Sequence, residues 1–177
     1  MRFSFLLPRG ASQPVVSPLR DPYRFQFDIF LSLMTVSVII FGDQVTKFYF
    51  SRTLSVGESL PVIRNIVHMT LVHNTGIAFG MFKNQGIVFI IIPTIAVVLL
   101  TFNIYYYRYH HQLSRMYIVA FSLILGGTIG NLIDRIYLGY VIDFIDLRVW
   151  PVFNIADSAI TVGAVILLWQ CILSSVK

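Results

Sequence analysis

Four long apolar segments dominate the chain, at about 25–50, 86–107, 116–133 and 155–176. Each is near the ~20 residues that an α-helix needs to cross a bilayer. The pattern therefore predicts four transmembrane helices. Pro93 falls inside the second, where it either kinks the helix or sits in its early turns. Gly126, Gly127 and Gly130 in the third permit a neighbouring helix to approach closely. Residues 51–82 break the pattern with Gly, Pro and Asn among Val-, Ile- and Thr-rich runs. VIRNIVHMTLVHN partly alternates, which predicts short strands, and Asn74-Thr75-Gly76 is a turn signal. A small β-rich cradle on the outer membrane surface is the simplest arrangement. Residues 1–24 carry Pro8, Pro14, Pro18 and Pro22 with Arg2, Arg9, Arg20 and Arg24, and predict a basic, mostly irregular tail. Its apolar stretch 3–7 is too short for a signal-peptide core, and Pro8 ends it.

Composition fits this pattern. The 177 residues are 56% hydrophobic and only 12% charged, with a mean hydropathy of +0.77. A soluble domain of this size needs a more charged surface. The expected fold class is an all-α membrane protein, a four-helix bundle with the small cradle on its outer side and one compact domain over 25–177. The net charge of +5 is spread along the chain without a basic run interleaved with aromatics, which argues against nucleic acid. Topology explains the basic residues better. The tail, Arg108, Arg115 and Lys177 fall on one side; Arg52, Arg64, Lys83, Arg135 and Arg148 fall on the other. The first set is richer and crowds the ends of the spans, so both termini are expected in the cytoplasm. The stretches 51–82 and 134–154 then lie outside, the latter as an outer loop.

Metal and thiol chemistry find no support. Cys171 is a single cysteine in an apolar run, without CxxC spacing, and reads as a small buried hydrophobe. His110 and His111 read as a loop, and His68 and His73 have no acidic partner at metal spacing. No metal or organic cofactor is expected.

The acids carry the candidate chemistry. Of eight Asp and Glu, four fall between 130 and 157: Asp134, Asp143, Asp146 and Asp157. Carboxylates beside hydrocarbon need partners, water or a function. Asp43 and Lys47, four apart on one helical face, read first as an ion pair that fixes the helix end within a polar site. Asn131, Asp134 and Arg135 share a face at the end of the third helix. They read equally as an interfacial charge cluster or as groups that reach a substrate or headgroup. Asp157 opens the fourth helix, where an acid complements the dipole, and Asp143 alone could be a turn residue. Both together, with Asn154 and Arg135 nearby, are harder to explain in those ways, and a pair of acids held close could share a proton and activate water; their spacing of fourteen does not itself show that they meet. Asp146 reads as a solvated loop acid. A small ion or proton transporter is the rival reading, but it places its acids near the bilayer midplane rather than at the outer interface.

The chain resembles the lipoprotein signal peptidases, or signal peptidase II. The matching stretches are DQVTK (43–47), NTGIAFG (74–80), GNLIDR (130–135), GYVIDFI (139–145) and FNIADSAITVG (153–163), in the family's order. The 1–24 tail lies outside the resemblance. It implies a bacterial inner-membrane aspartic endopeptidase acting on diacylglyceryl-modified prolipoproteins, cleaving on the amino side of the lipidated cysteine. It places the two catalytic aspartates on Asp143 and Asp157, without deciding which is the general base. It places supporting polar residues on Asp43, Asn74, Asn131, Asp134, Arg135 and Asn154. The partners it implies are prolipoprotein substrates and membrane phospholipid, and a monomer is the default.

Overall fold

The structure is a computed structural model that describes residues 22–76, 87–110 and 114–175. The 1–24 tail lies outside these residues up to position 21. Its last residues, from Pro22, form the start of helix α1 (Pro22–Thr53). Strands β1 (Ser59–Ile63) and β2 (Val67–Asn74) follow, then helices α2 (Val88–His110) and α3 (Arg115–Leu138), strand β3 (Val141–Asp146) and helix α4 (Ile155–Ser175). All four helices are long and apolar enough to cross a membrane.

Helix α3 is the central element and packs against α1, α2 and α4. The outward faces stay apolar: Phe30, Leu33 and Val38 on α1, Ile92 and Leu99 on α2, and Val165 and Leu168 on α4 are exposed. Hydrocarbon surrounds such positions in a bilayer, so their exposure carries no penalty. Close packing and interhelical polar contacts must hold the helices together instead. Gly127 shows the close packing. A methyl group there would collide with the Ala156 carbonyl oxygen of α4 and lie 2.8 Å from Ile160 Cγ1. Gly130, one turn on, leaves the space that the Asp43 carboxylate of α1 fills, 2.7 Å from where a Cβ would stand.

The predicted strands form as expected but the sheet is larger. Its order is β1–β2–β3, antiparallel throughout. β2 is central, pairing Leu60 with Met69 on one edge and His73 with Ile142 on the other. β3 lies inside the stretch read as an outer loop over 134–154. Two acids in the six residues VIDFID hide the strand pattern, because Asp is disfavoured in strands unless hydrogen bonds compensate its burial. The third helix also runs beyond Arg135, the last residue that the sequence reading placed on it. The apolar run stops before Asp134, but α3 continues to Leu138 and ends at Gly139, whose N–H bonds the Arg135 carbonyl. Phe50 of α1 stacks on Phe144 of β3, with ring centroids 4.6 Å apart, which seats the sheet on the bundle.

One open alternative is decided and two smaller expectations need adjusting. Pro93 is the sixth residue of α2 and lies in its early turns. His110 ends α2 rather than lying in a loop, and His111 is outside the described residues. Cys171 is exposed on α4 rather than buried.

Substituting Gly127 by Ala should destabilise the α3–α4 contact by about 1–3 kcal/mol, the usual range for overpacking. Gly42→Ala, with nothing within 4 Å of the added methyl, is the control. Thermal unfolding in detergent compares them; equal midpoints would show that the helices can simply move apart.

Candidate active site

Lys47 of α1 is 2% exposed, and its ammonium group has three acceptors. Asp43 Oδ2 lies at 2.7 Å, Asp134 Oδ2 of α3 at 2.9 Å and Asn131 Oδ1 of α3 at 2.9 Å. An ammonium has three N–H donors, so the set is complete. The expected Asp43–Lys47 pair thus exists, but it extends to a second carboxylate across the α1–α3 contact. A buried charge is tolerable only when paired and hydrogen-bonded in this way.

Each carboxylate also anchors another element. Asp43 Oδ1 accepts the Ala156 N–H at the start of α4 (2.9 Å). Asp134 Oδ2 accepts the Ile142 N–H of β3 (3.0 Å). Gln44, which the sequence reading passed over although it lies within DQVTK, donates to Asp134 Oδ1 at 2.9 Å and to the Gly130 carbonyl at 3.2 Å. Only its position beside Asp43, facing α3, reveals that role.

Two asparagines carry the network to the remaining acids. Lys47 can only donate, so Asn131 must turn its oxygen toward it, and the Asn131 amide nitrogen faces Asp157 Oδ1 at 2.7 Å. Asn154 precedes α4 and caps it. Its Oδ1 accepts the Asp157 N–H at 2.9 Å, while Asp157 Oδ2 accepts the Asn154 N–H at 3.3 Å, a reciprocal capping box with Asp as the acid. The Asn154 amide nitrogen donates to Asp143 Oδ1 at 2.7 Å, to Asn131 Oδ1 at 3.0 Å and to the Ile142 carbonyl at 3.2 Å. Asn74, at the end of β2, donates to Asp143 Oδ2 at 2.9 Å. Its own oxygen accepts the Gly76 N–H at 2.9 Å, which holds the amide in that orientation.

Asp143 of β3 and Asp157 of α4, fourteen apart in sequence, are therefore joined through one residue, Asn154. Asp143 is buried and Asp157 half-buried. Burial pushes the Asp143 carboxyl up to about 6. The Asp157 charge adds to the rise, while the bonds from Asn74 and Asn154 and the charge of Lys47 oppose it. Arg135 donates to the Asn131 carbonyl at 3.3 Å and stands near enough to Asp157, Asp143 and Asp134 to act on all three electrostatically. The sequence-derived site residues thus assemble around Lys47. Asp146 departs from its reading as a solvated loop acid. It is buried at the end of β3, and the Thr70 hydroxyl and the Arg148 N–H hold its carboxyl below the usual range.

A cavity of about 440 Å³ opens beside Asp157. Asp157, Ser158, Thr161 and Val162 of α4 line it together with Leu147, Trp150 and Phe153. An acid on the wall of an apolar cavity, joined through Asn154 to a buried acid whose carboxyl is pushed up to about 6, has the chemistry for hydrolysing an apolar substrate.

Comparison with known proteins gives a family and a fold. The family model for signal peptidase (SPase) II matches residues 35–173. The lipoprotein signal peptidase of Halothermothrix orenii is 43% identical over 140 residues, covering 77% of this chain and 94% of the relative. That of Syntrophotalea carbinolica is 44% identical over 150 residues, covering 81% and 90%. Two solved structures, both described as a bacterial membrane enzyme determined by the in meso method, superpose with TM-scores of 0.75 and 0.74 at 32% and 33% identity. They cover 83% and 81% of this chain and 90% and 93% of their own.

Lys47→Met keeps the length of the side chain but leaves Asp43 and Asp134 buried without their cation. Removing one partner of such a network costs about 3–5 kcal/mol. Thermal unfolding in detergent should show a large loss of stability at neutral pH, and an unchanged midpoint would mean that the carboxylates find other partners.

Proposed function

The chain belongs to the signal peptidase II family, and on that premise we propose that Asp143 and Asp157 are the catalytic pair of its peptidase activity. It is a multi-pass bacterial membrane aspartic endopeptidase that removes signal peptides from prolipoproteins. The substrate carries diacylglycerol on its cysteine, and the bond broken is on the amino side of that residue. The observation that carries the assignment of the pair is Asn154. Its side-chain nitrogen holds Asp143, while its backbone N–H and side-chain oxygen hold Asp157.

In this reading the pair shares one proton. Asp157, in the first turn of α4 and held by the Asn131 amide, acts as general base on a water. Asp143, whose proton is retained up to about pH 6, donates to the scissile carbonyl. The water oxygen bonds the carbonyl carbon and its proton passes to Asp157. As the C–N bond breaks, a proton goes to the leaving nitrogen, giving a signal-peptide carboxylate and a new cysteine amine. Arg135, Asn131 and Asn74 hold the carboxylates and the substrate backbone around the reacting carbon. Asp43, Lys47, Asp134 and Asn154 hold the framework.

The charge distribution supports both termini on the cytoplasmic side and the site at the outer face, where a lipid-anchored substrate presents its cleavage site. Substrate acyl chains and membrane phospholipid then meet the apolar helix faces, and the site is complete within one chain, which favours a monomer.

Asp143→Asn and Asp157→Asn should each abolish cleavage of a lipid-modified prolipoprotein while unfolding like the parent. Cleavage retained by either variant removes that residue from the pair. The pH profile gives an independent check. Above about pH 6 Asp143 loses its proton, so kcat/KM should fall as pH rises through that region. A profile flat from pH 5 to 8 would oppose Asp143 as the acid.

A further inference from the structure

We propose that Asp146 is a positioning residue for substrate binding: it fixes the turn after β3 so that Trp150 forms a wall of the cavity that opens onto Asp157. The proposal rests on the role given to Asp157 above. The Asp143–Asp157 network makes no use of Asp146, yet its carboxylate is buried and fully engaged. Oδ1 accepts the Arg148 N–H at 2.8 Å. Oδ2 accepts the Thr70 hydroxyl at 2.8 Å and Arg148 Nη1 at 3.1 Å. Thr70 is in turn 2.8 Å from the Ser59 hydroxyl, so one carboxylate ties the turn to both β1 and β2.

The turn needs such a tie. Arg148 has φ of 65°, in the left-handed region that a non-glycine residue occupies only when its surroundings hold it there. The other end of the segment is clamped by the Ile145–Phe153 bridge, with N–H···O bonds of 2.8 and 3.0 Å in the two directions. Between the clamps Trp150 is 68% exposed, yet it lines the cavity together with Leu147 and with Thr161 of α4. A large ring that is mostly exposed depends chiefly on its backbone for its position. The Thr70 hydroxyl and Arg148 keep the Asp146 carboxyl ionised well below neutral pH, so the tie persists where the enzyme works. The cavity is apolar apart from its Asp157 end. It therefore suits the apolar part of a lipid-modified prolipoprotein beside the scissile bond.

The test is steady-state kinetics of the full chain in detergent with a lipid-modified prolipoprotein. Asp146→Ala and Trp150→Ala should each raise KM about fivefold and leave kcat within about twofold of the parent, the signature of lost substrate binding. The double variant should be no worse than Asp146→Ala alone, because the two act in series. Asp146→Asn keeps an acceptor for the Arg148 N–H and should restore most of the KM. If Asp146→Ala does not fold, Thr70→Val removes one arm of the tie and should raise KM in the same way. A fall in kcat with KM unchanged, or additive effects in the double variant, would overturn the proposal. Failure of the Asp157 assignment is read separately, as cleavage retained by Asp157→Asn.

Discussion

The buried ammonium group of Lys47 is the constraint on which the rest of the site depends. A lysine on a membrane-spanning helix must find acceptors for its three donors or forfeit its charge. Two of its acceptors are carboxylates that would themselves be intolerable without it. The same carboxylates also take backbone N–H groups from two other elements, Ala156 at the start of α4 and Ile142 in β3. One satisfied charge therefore sets where α1, α3, α4 and the sheet meet. The third acceptor, Asn131, fixes an amide orientation that reaches Asp157.

This arrangement inverts the usual division of a fold into apolar inside and polar outside. The interior around Lys47 is polar, and the helix exteriors are apolar. In lipid the exteriors gain little from packing together, so interhelical hydrogen bonds and the close contacts at Gly127 and Gly130 carry the association. The same bonds that join the helices hold the Asp143 and Asp157 carboxylates, so stability and the proposed chemistry draw on one set of residues. That sharing makes the site rigid, which a proton-sharing pair requires.

Structural and functional roles also coincide in single residues. Asp157 is a helix-capping acid and complements the α4 dipole, as a purely structural reading expects. The capping box is also what aims its carboxylate and places Asn154 between it and Asp143. The two readings of that residue were never exclusive. For Asp146 the structural account holds alone within the acid network, and its reach to the cavity runs through the backbone of the following turn.

The sequence by itself determined the four spans, the first two strands, the Asp43–Lys47 pair and which acids stand apart from ordinary composition. Those features rest on local patterns: apolar runs of bilayer length, alternation, and spacing on one helix face. The ordered motifs supplied the family. It did not reveal β3, the continuation of α3 past Arg135, the role of Gln44 or the burial of Asp146. In these cases a polar residue is satisfied by partners that no local pattern shows: Thr70 for Asp146, Ile142 and Lys47 for Asp134, and Asp134 for Gln44. Burial of a charge depends on whether its hydrogen bonds are met, and only the tertiary structure decides who meets them. For that reason the two acids could be singled out along the chain, but their meeting through Asn154 had to be seen in three dimensions.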